Sequence, residues 1–144
     1  MNKHFSIAGI SALLVACLLF TACEKATAPE KLTERVFVVE VVPGEQPLKE
    51  YLDYHQHIWP EVEAGFRKAG YRNISLYRYQ HLLVMTITVP ENANLDSMGK
   101  IAESSHPRCA EWNKVMAGYQ AGVPGTAPGQ TWVEASRFYH FNGQ

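Results

Sequence analysis

Val36-Phe37-Val38-Val39-Glu40-Val41-Val42 is an almost unbroken β-branched run, and Pro43-Gly44 closes it. Branched side chains suit a pleated surface, so the run predicts a first strand. From Leu48 to about Ile58 the apolar spacing becomes helical, until Pro60, whose ring would clash with the carbonyl of Gln56. Trp59, preceding proline, is pushed away from helical angles. A broken helix pair follows: Pro60 opens the second member, Val62, Phe66 and Ala69 line it, and Gly70 stops it.

Asn73 to Tyr79 and Leu82 to Val89 predict two strands turning through Gln80-His81, although the usual Asn-Gly turn signal is missing. Helices are expected over Asn92 to Ser104 and Arg108 to Tyr119. A Gly/Pro loop is expected over Gly122 to Gln130, and a last strand over Thr131 to Phe141. The order β-α-β-β-α-β is the ferredoxin-like split βαβ plan, an α+β fold with a four-stranded antiparallel sheet and helices on one face. The other face also carries apolar residues. Two copies packing sheet to sheet, as a homodimeric α+β barrel, would cover it.

Upstream of the first strand, Glu24 to Arg35 is polar, holds Pro29 and has no apolar period, which reads as a tether. Residues 1–22, with Lys3 and an apolar run from Ile7 to Phe20, have the layout of a secretory signal, too short for a convincing membrane span. Leu19-Phe20-Thr21-Ala22-Cys23 resembles a bacterial lipobox, with Cys23 as the lipidated N-terminus. The expectation is an exported lipoprotein that meets a membrane only through this lipid, anchored in the cell envelope. An ordinary cleavable signal or a short anchor helix is the alternative.

The folded domain is expected over 36–144. With Cys17 in the leader and Cys23 lipidated, only Cys109 remains, and a lone thiol cannot staple its own chain. The 144 residues are 47% hydrophobic and 19% charged with a net charge of -1, which suits one compact domain and excludes electrostatic capture of nucleic acid.

Within Tyr51-Leu52-Asp53-Tyr54-His55-Gln56-His57-Ile58-Trp59-Pro60-Glu61, Tyr51 and His55 lie four apart and share one helix face. An imidazole, with an ordinary pKa of about 6.5, can give or take a proton near neutrality. From spacing alone such a histidine is more often structural. His57 lies about 200 degrees round the helix from that face. His4, His81, His106 and His140 are scattered without metal-ligand spacing, so no metal is expected. Trp59 and Trp132 are large enough to be core anchors, and Cys109 reads as a buried small hydrophobe.

Tyr51, His55 and Ile58-Trp59-Pro60-Glu61, then Asn73 at the hairpin and Cys109 with Trp112, together resemble the L-rhamnose mutarotase family, from about Val36 to Phe141. The resemblance implies a dimeric α+β barrel that interconverts the α and β anomers of a monosaccharide without metal or cofactor. By position it puts the acid/base histidine on His55 and a substrate-binding tyrosine on Tyr51, and keeps the first of the family's paired tryptophans as Trp112. Trp59 and Trp112 can stack on the C–H face of a pyranose, with a packing role for Trp59 as the alternative. Tyr51 or water would carry the second proton.

The family's hairpin tyrosine falls on Ile74, and the second of its paired tryptophans on Asn113. Its proline before the isoleucine is His57 here. A pocket selects a sugar by pairing its hydroxyls, so these departures bear on which sugar is taken. Tyr77, three positions from Ile74 on a strand, faces the other way. Glu61 suits the start of the second helix. Two other functions are weighed beside a mutarotase: a cofactor-independent monooxygenase, by fold analogy alone, and a non-catalytic sugar-binding lipoprotein.

Overall fold

Strand β1 (Leu32–Val41) runs through the middle of the sheet and starts earlier than the sequence suggests. Leu32 to Arg35 belong to it because they pair in register with Pro90 to Ile87. The computed structural model describes residues 29–143. The expected leader 1–22, Cys23 and the first part of the tether lie outside the described residues. The last four residues of that tether are strand, and Glu30 is held by a two-pronged ion pair from Arg72.

Helices α1 (Glu45–Gln56) and α2 (Pro60–Ala69) follow, then the hairpin β2 (Asn73–Tyr79) and β3 (Leu82–Pro90). Helices α3 (Leu95–Ser104) and α4 (Pro107–Ala117) lead to two short strands, β4 (Gln120–Ala121) and β5 (Val133–Ala135). All pairings are antiparallel in the order β2-β3-β1-β4, with β5 also on β1. This is the α+β plan with its split βαβ connectivity. The expected last strand over Thr131 to Phe141 is shorter, because β4 takes Glu40 and Val41 of the β1 edge and leaves β5 only Val36 to Val38. Beyond Ala135, Phe138, Tyr139 and Phe141 stand 99%, 73% and 75% exposed.

Local signals explain the helix ends. Pro60 opens α2 with Trp59 extended at its N-cap (φ -64, ψ 132), as a residue before proline must be. At the other end Gly70 takes φ +96, its N–H donates to the carbonyl of Arg67, and the N–H of Tyr71 donates to that of Phe66. That is a Schellman closure, and the ring of Tyr71 meets that of Phe66 edge-on at 5.7 Å. Gly65 lets α2 touch α3 closely: a Cβ there would lie 2.7 Å from Ser105 Oγ and 2.9 Å from the Ala102 carbonyl oxygen.

Strand alternation sends Phe37, Val39 and Val41 of β1, with Leu83, Met85, Ile87 and Val89 of β3, towards the helices. The buried residues form two clusters. One gathers Val39, Val41, Leu48, Tyr51, Val62, Leu83, Trp112 and Met116; the other Ala69, Ile87, Val89, Met98 and Ala102. Full burial of such a side chain contributes about 1.5–3 kcal/mol. The opposite sheet face presents Val36, Val38, Val84 and Val133, only half-buried, and no element of the described chain covers it. No helix among the described residues is long and apolar enough to cross a membrane.

Candidate active site

Between the sheet and the helices a cavity of about 440 Å³ draws its walls from both clusters. Phe37, Met85 and Ile87 form its sheet side with Ile74 and Leu76 of β2, while Trp112, Met116 and Trp132 close the other. Tyr51, His55, Tyr71, Asp96, Asn113 and Gln120 are the polar side chains in an otherwise apolar lining. The space is large enough for a monosaccharide.

Helix α1 places Tyr51 and His55 one turn apart, and their rings stack with centroids 4.3 Å apart. His55 Nδ1 lies 2.8 Å from the main-chain carbonyl oxygen of Tyr51. A carbonyl only accepts, so Nδ1 is the nitrogen that carries hydrogen, and in the neutral ring Nε2 keeps its lone pair. Burial lowers the His55 pKa below its usual 6.5, partly offset by the Tyr51 carbonyl. Burial raises that of the Tyr51 phenol, and Gln120 beside it pulls the other way. Near neutrality the pair is thus an unprotonated imidazole next to a protonated phenol.

Of the residues singled out in the sequence, Tyr51, His55, Ile74, Trp112 and Asn113 all line this one cavity. Trp112 is 5% exposed and meets the His55 ring edge-on at 5.4 Å. Trp59 is the exception. It sits behind Trp112, at 5.3 Å between centroids, and is absent from the cavity wall. The Arg108 guanidinium covers its ring at 3.9 Å and reaches Glu61 at 3.6 Å. The expected substrate contact at Trp59 is therefore corrected to a packing role: the bend before Pro60 turns the indole to the outside of Trp112, where a cation already occupies its face.

His57 is exposed, and Tyr77, 59% exposed, is likewise outside the cavity. Cys109 is buried, with Sγ 3.3 Å from the Glu61 carbonyl oxygen and 3.4 Å from Ser105 Oγ. Among the described residues no group of three His, Cys, Asp or Glu side chains is placed to hold a metal.

Sequence reasoning missed Phe37 and Met85, although strand alternation with Val39 and Leu83 marks them as inward. It also missed Tyr71, Asp96, Gln120 and Trp132, which stand at element ends or in loops where no period points inward.

A profile of the L-rhamnose mutarotase family matches residues 35–141. The L-fucose mutarotase of Xanthomonas campestris is 32% identical over 106 residues, 72% of this chain and 83% of that protein. An L-rhamnose mutarotase of Klebsiella pneumoniae is 28% identical over 99 residues, 67% of this chain and 88% of that protein. The crystal structure of an L-rhamnose mutarotase from Formosa agariphila superposes with a TM-score of 0.53 at 14% identity, over 76% of this chain and 99% of that one, a likeness of fold.

These matches overturn the expected localisation. An exported lipoprotein anchored in the envelope rested on residues up to Cys23, outside the described structure, whereas the relatives are named for sugar mutarotation and nothing more. The monooxygenase and the non-catalytic binder gain no support from them either. With 107 of its 144 residues matched by the profile, the chain belongs to the L-rhamnose mutarotase family of carbohydrate isomerases.

Proposed function

We propose that this mutarotase opens and recloses the ring of a 6-deoxyhexose such as L-fucose or L-rhamnose, with His55 as its acid and base. The observation that carries the reading is the bond from His55 Nδ1 to the Tyr51 carbonyl, which leaves Nε2 as the working nitrogen beside the cavity. Nε2 takes the proton of the anomeric hydroxyl while the Tyr51 phenol or a water gives one to the ring oxygen. The C1–O5 bond breaks and an aldehyde forms; rotation about C1–C2 presents its other face, and the reverse transfers close the ring. The atoms balance without any co-reactant.

Tyr51 is placed as the donor by its stacking on His55 in the cavity wall, and its phenol carries the proton it gives. The apolar lining suits the C–H faces of a pyranose and the methyl group of a 6-deoxy sugar. L-fucose and L-rhamnose are the sugars in the names of the relatives. Ile74 and Asn113 contact the sugar in this reading, and Trp112 stacks on it.

A homodimer belongs to the same proposal. Its support is the half-buried face of Val36, Val38, Val84 and Val133, together with the exposed aromatic tail.

The test is saturation-transfer NMR on the anomeric protons of L-fucose and L-rhamnose, with wild type and His55→Ala. Wild type should accelerate exchange over buffer and the variant should lose roughly 100- to 10,000-fold of that acceleration. Exchange at the buffer rate with wild-type enzyme would reject the activity, and unimpaired exchange by the variant would reject His55.

A further inference from the structure

The Schellman closure of α2 accounts for the ring at position 71 but not for its hydroxyl. The closure wants an apolar ring against Phe66, and a phenylalanine would serve as well. Here the ring is a tyrosine, half-buried on the cavity wall, and burial raises its pKa. No side-chain or main-chain group among the described residues hydrogen-bonds the Tyr71 hydroxyl. It is not sealed in the core either, since no buried side-chain oxygen or nitrogen there is left without a partner. A hydroxyl on a cavity wall with no protein partner is free to bond a molecule held in the cavity.

The neighbours indicate which part of the ligand. Tyr71 and Asn113 both line the main cavity and a smaller hollow beside Cys109, whereas Tyr51 and His55 adjoin a different hollow next to β2. Asp96, in the first turn of α3, lines the main cavity too. The polar lining therefore divides between a proton-transferring group around His55 and a second group from the β2 entrance, α3 and α4.

We infer that Tyr71 is a specificity-determining residue whose hydroxyl, with Asn113, hydrogen-bonds a ring hydroxyl of the sugar remote from the anomeric carbon. This rests on the cavity being a monosaccharide site. With Ile74 apolar on the strand that follows, Tyr71 brings the hydroxyl to that wall from the preceding loop.

The test is Tyr71→Phe, which deletes one oxygen and leaves the ring contact with Phe66 intact. Two readouts are compared with wild type: KM and kcat for anomer exchange, and calorimetric binding of the 1,5-anhydro form of the same sugar, which cannot mutarotate. The expected result is a 3- to 10-fold loss of affinity for the anhydro sugar, about one hydrogen bond, with the kinetic effect on KM rather than kcat. The melting temperature should stay unchanged, which separates ligand contact from a structural role. Equal affinity of both proteins for the anhydro sugar, or no binding by either, overturns the inference. If wild type binds the anhydro sugar but accelerates no exchange, the mutarotase reading fails while the affinity ratio still decides Tyr71.

Discussion

Tyr51 holds His55 twice, through a main-chain carbonyl 2.8 Å from Nδ1 and through a phenol ring stacked at 4.3 Å. The first contact selects the tautomer and the second fixes the ring plane, so the imidazole is oriented before any sugar arrives. Trp112, edge-on to the same ring, keeps it partly dry. Orientation and dryness together give the pH behaviour.

Because burial lowers the His55 pKa, the acid limb of kcat/KM against pH should fall below 6.5. The folded value lies under the unfolded one, so the stability contribution is fully present above about 6.5 and is lost as pH falls through the folded value. Anomer-exchange rates between pH 4.5 and 8, with urea midpoints across the same range, check both. In His55→Gln the pH dependence of stability over that window should flatten. An acid limb above 6.5 contradicts the burial argument.

Trp112 and Trp59 should separate cleanly. Trp112→Phe is expected to weaken sugar binding severalfold, because the ring lines the cavity. Trp59→Leu should leave affinity unchanged and lower stability by about 1–2 kcal/mol, through lost packing on Trp112 and the lost Arg108 contact. Calorimetric titration with L-fucose, paired with thermal melts, distinguishes them.

Gly65→Ala should cost about 1–3 kcal/mol, since the added methyl meets the Ala102 carbonyl and Ser105 Oγ where α2 touches α3. A drop in the urea midpoint at constant slope is the expected signature.

Val38→Glu, on the uncovered sheet face, should turn a dimer into a monomer by putting a charge on each side of the seam. Sedimentation velocity reads this directly. A wild-type chain that sediments as a monomer at micromolar concentration removes the dimer.

The fold was legible where one signal dominated. The Val36–Val42 run, Pro60 and Gly70 each do locally what a β-branched run, a proline and a helix-end glycine do anywhere, and the structure follows them. The Tyr51/His55 pair was legible because helix spacing alone puts both on one face. Trp59 was misjudged because the direction taken by an indole at a bend depends on Trp112 and Arg108, which come about fifty residues later. Tyr71 was invisible for a related reason: only the closure at Gly70 and the packing of α3 and α4 decide what a loop tyrosine faces. The shortened final strand depends on two segments sharing one edge of β1, a matter of topology that no local pattern encodes.

Strand β2 pairs only with β3 and forms a free margin of the sheet. Its outward main-chain groups, beside exposed Tyr77 and Tyr79, offer a ready template for strand addition by another chain. Arg78 lies on that margin without a carboxylate partner among the described residues, and its charge discourages ribbons from stacking along it. Concentrated samples should therefore stay clear at low ionic strength and become prone to fibrous aggregation when salt masks that arginine.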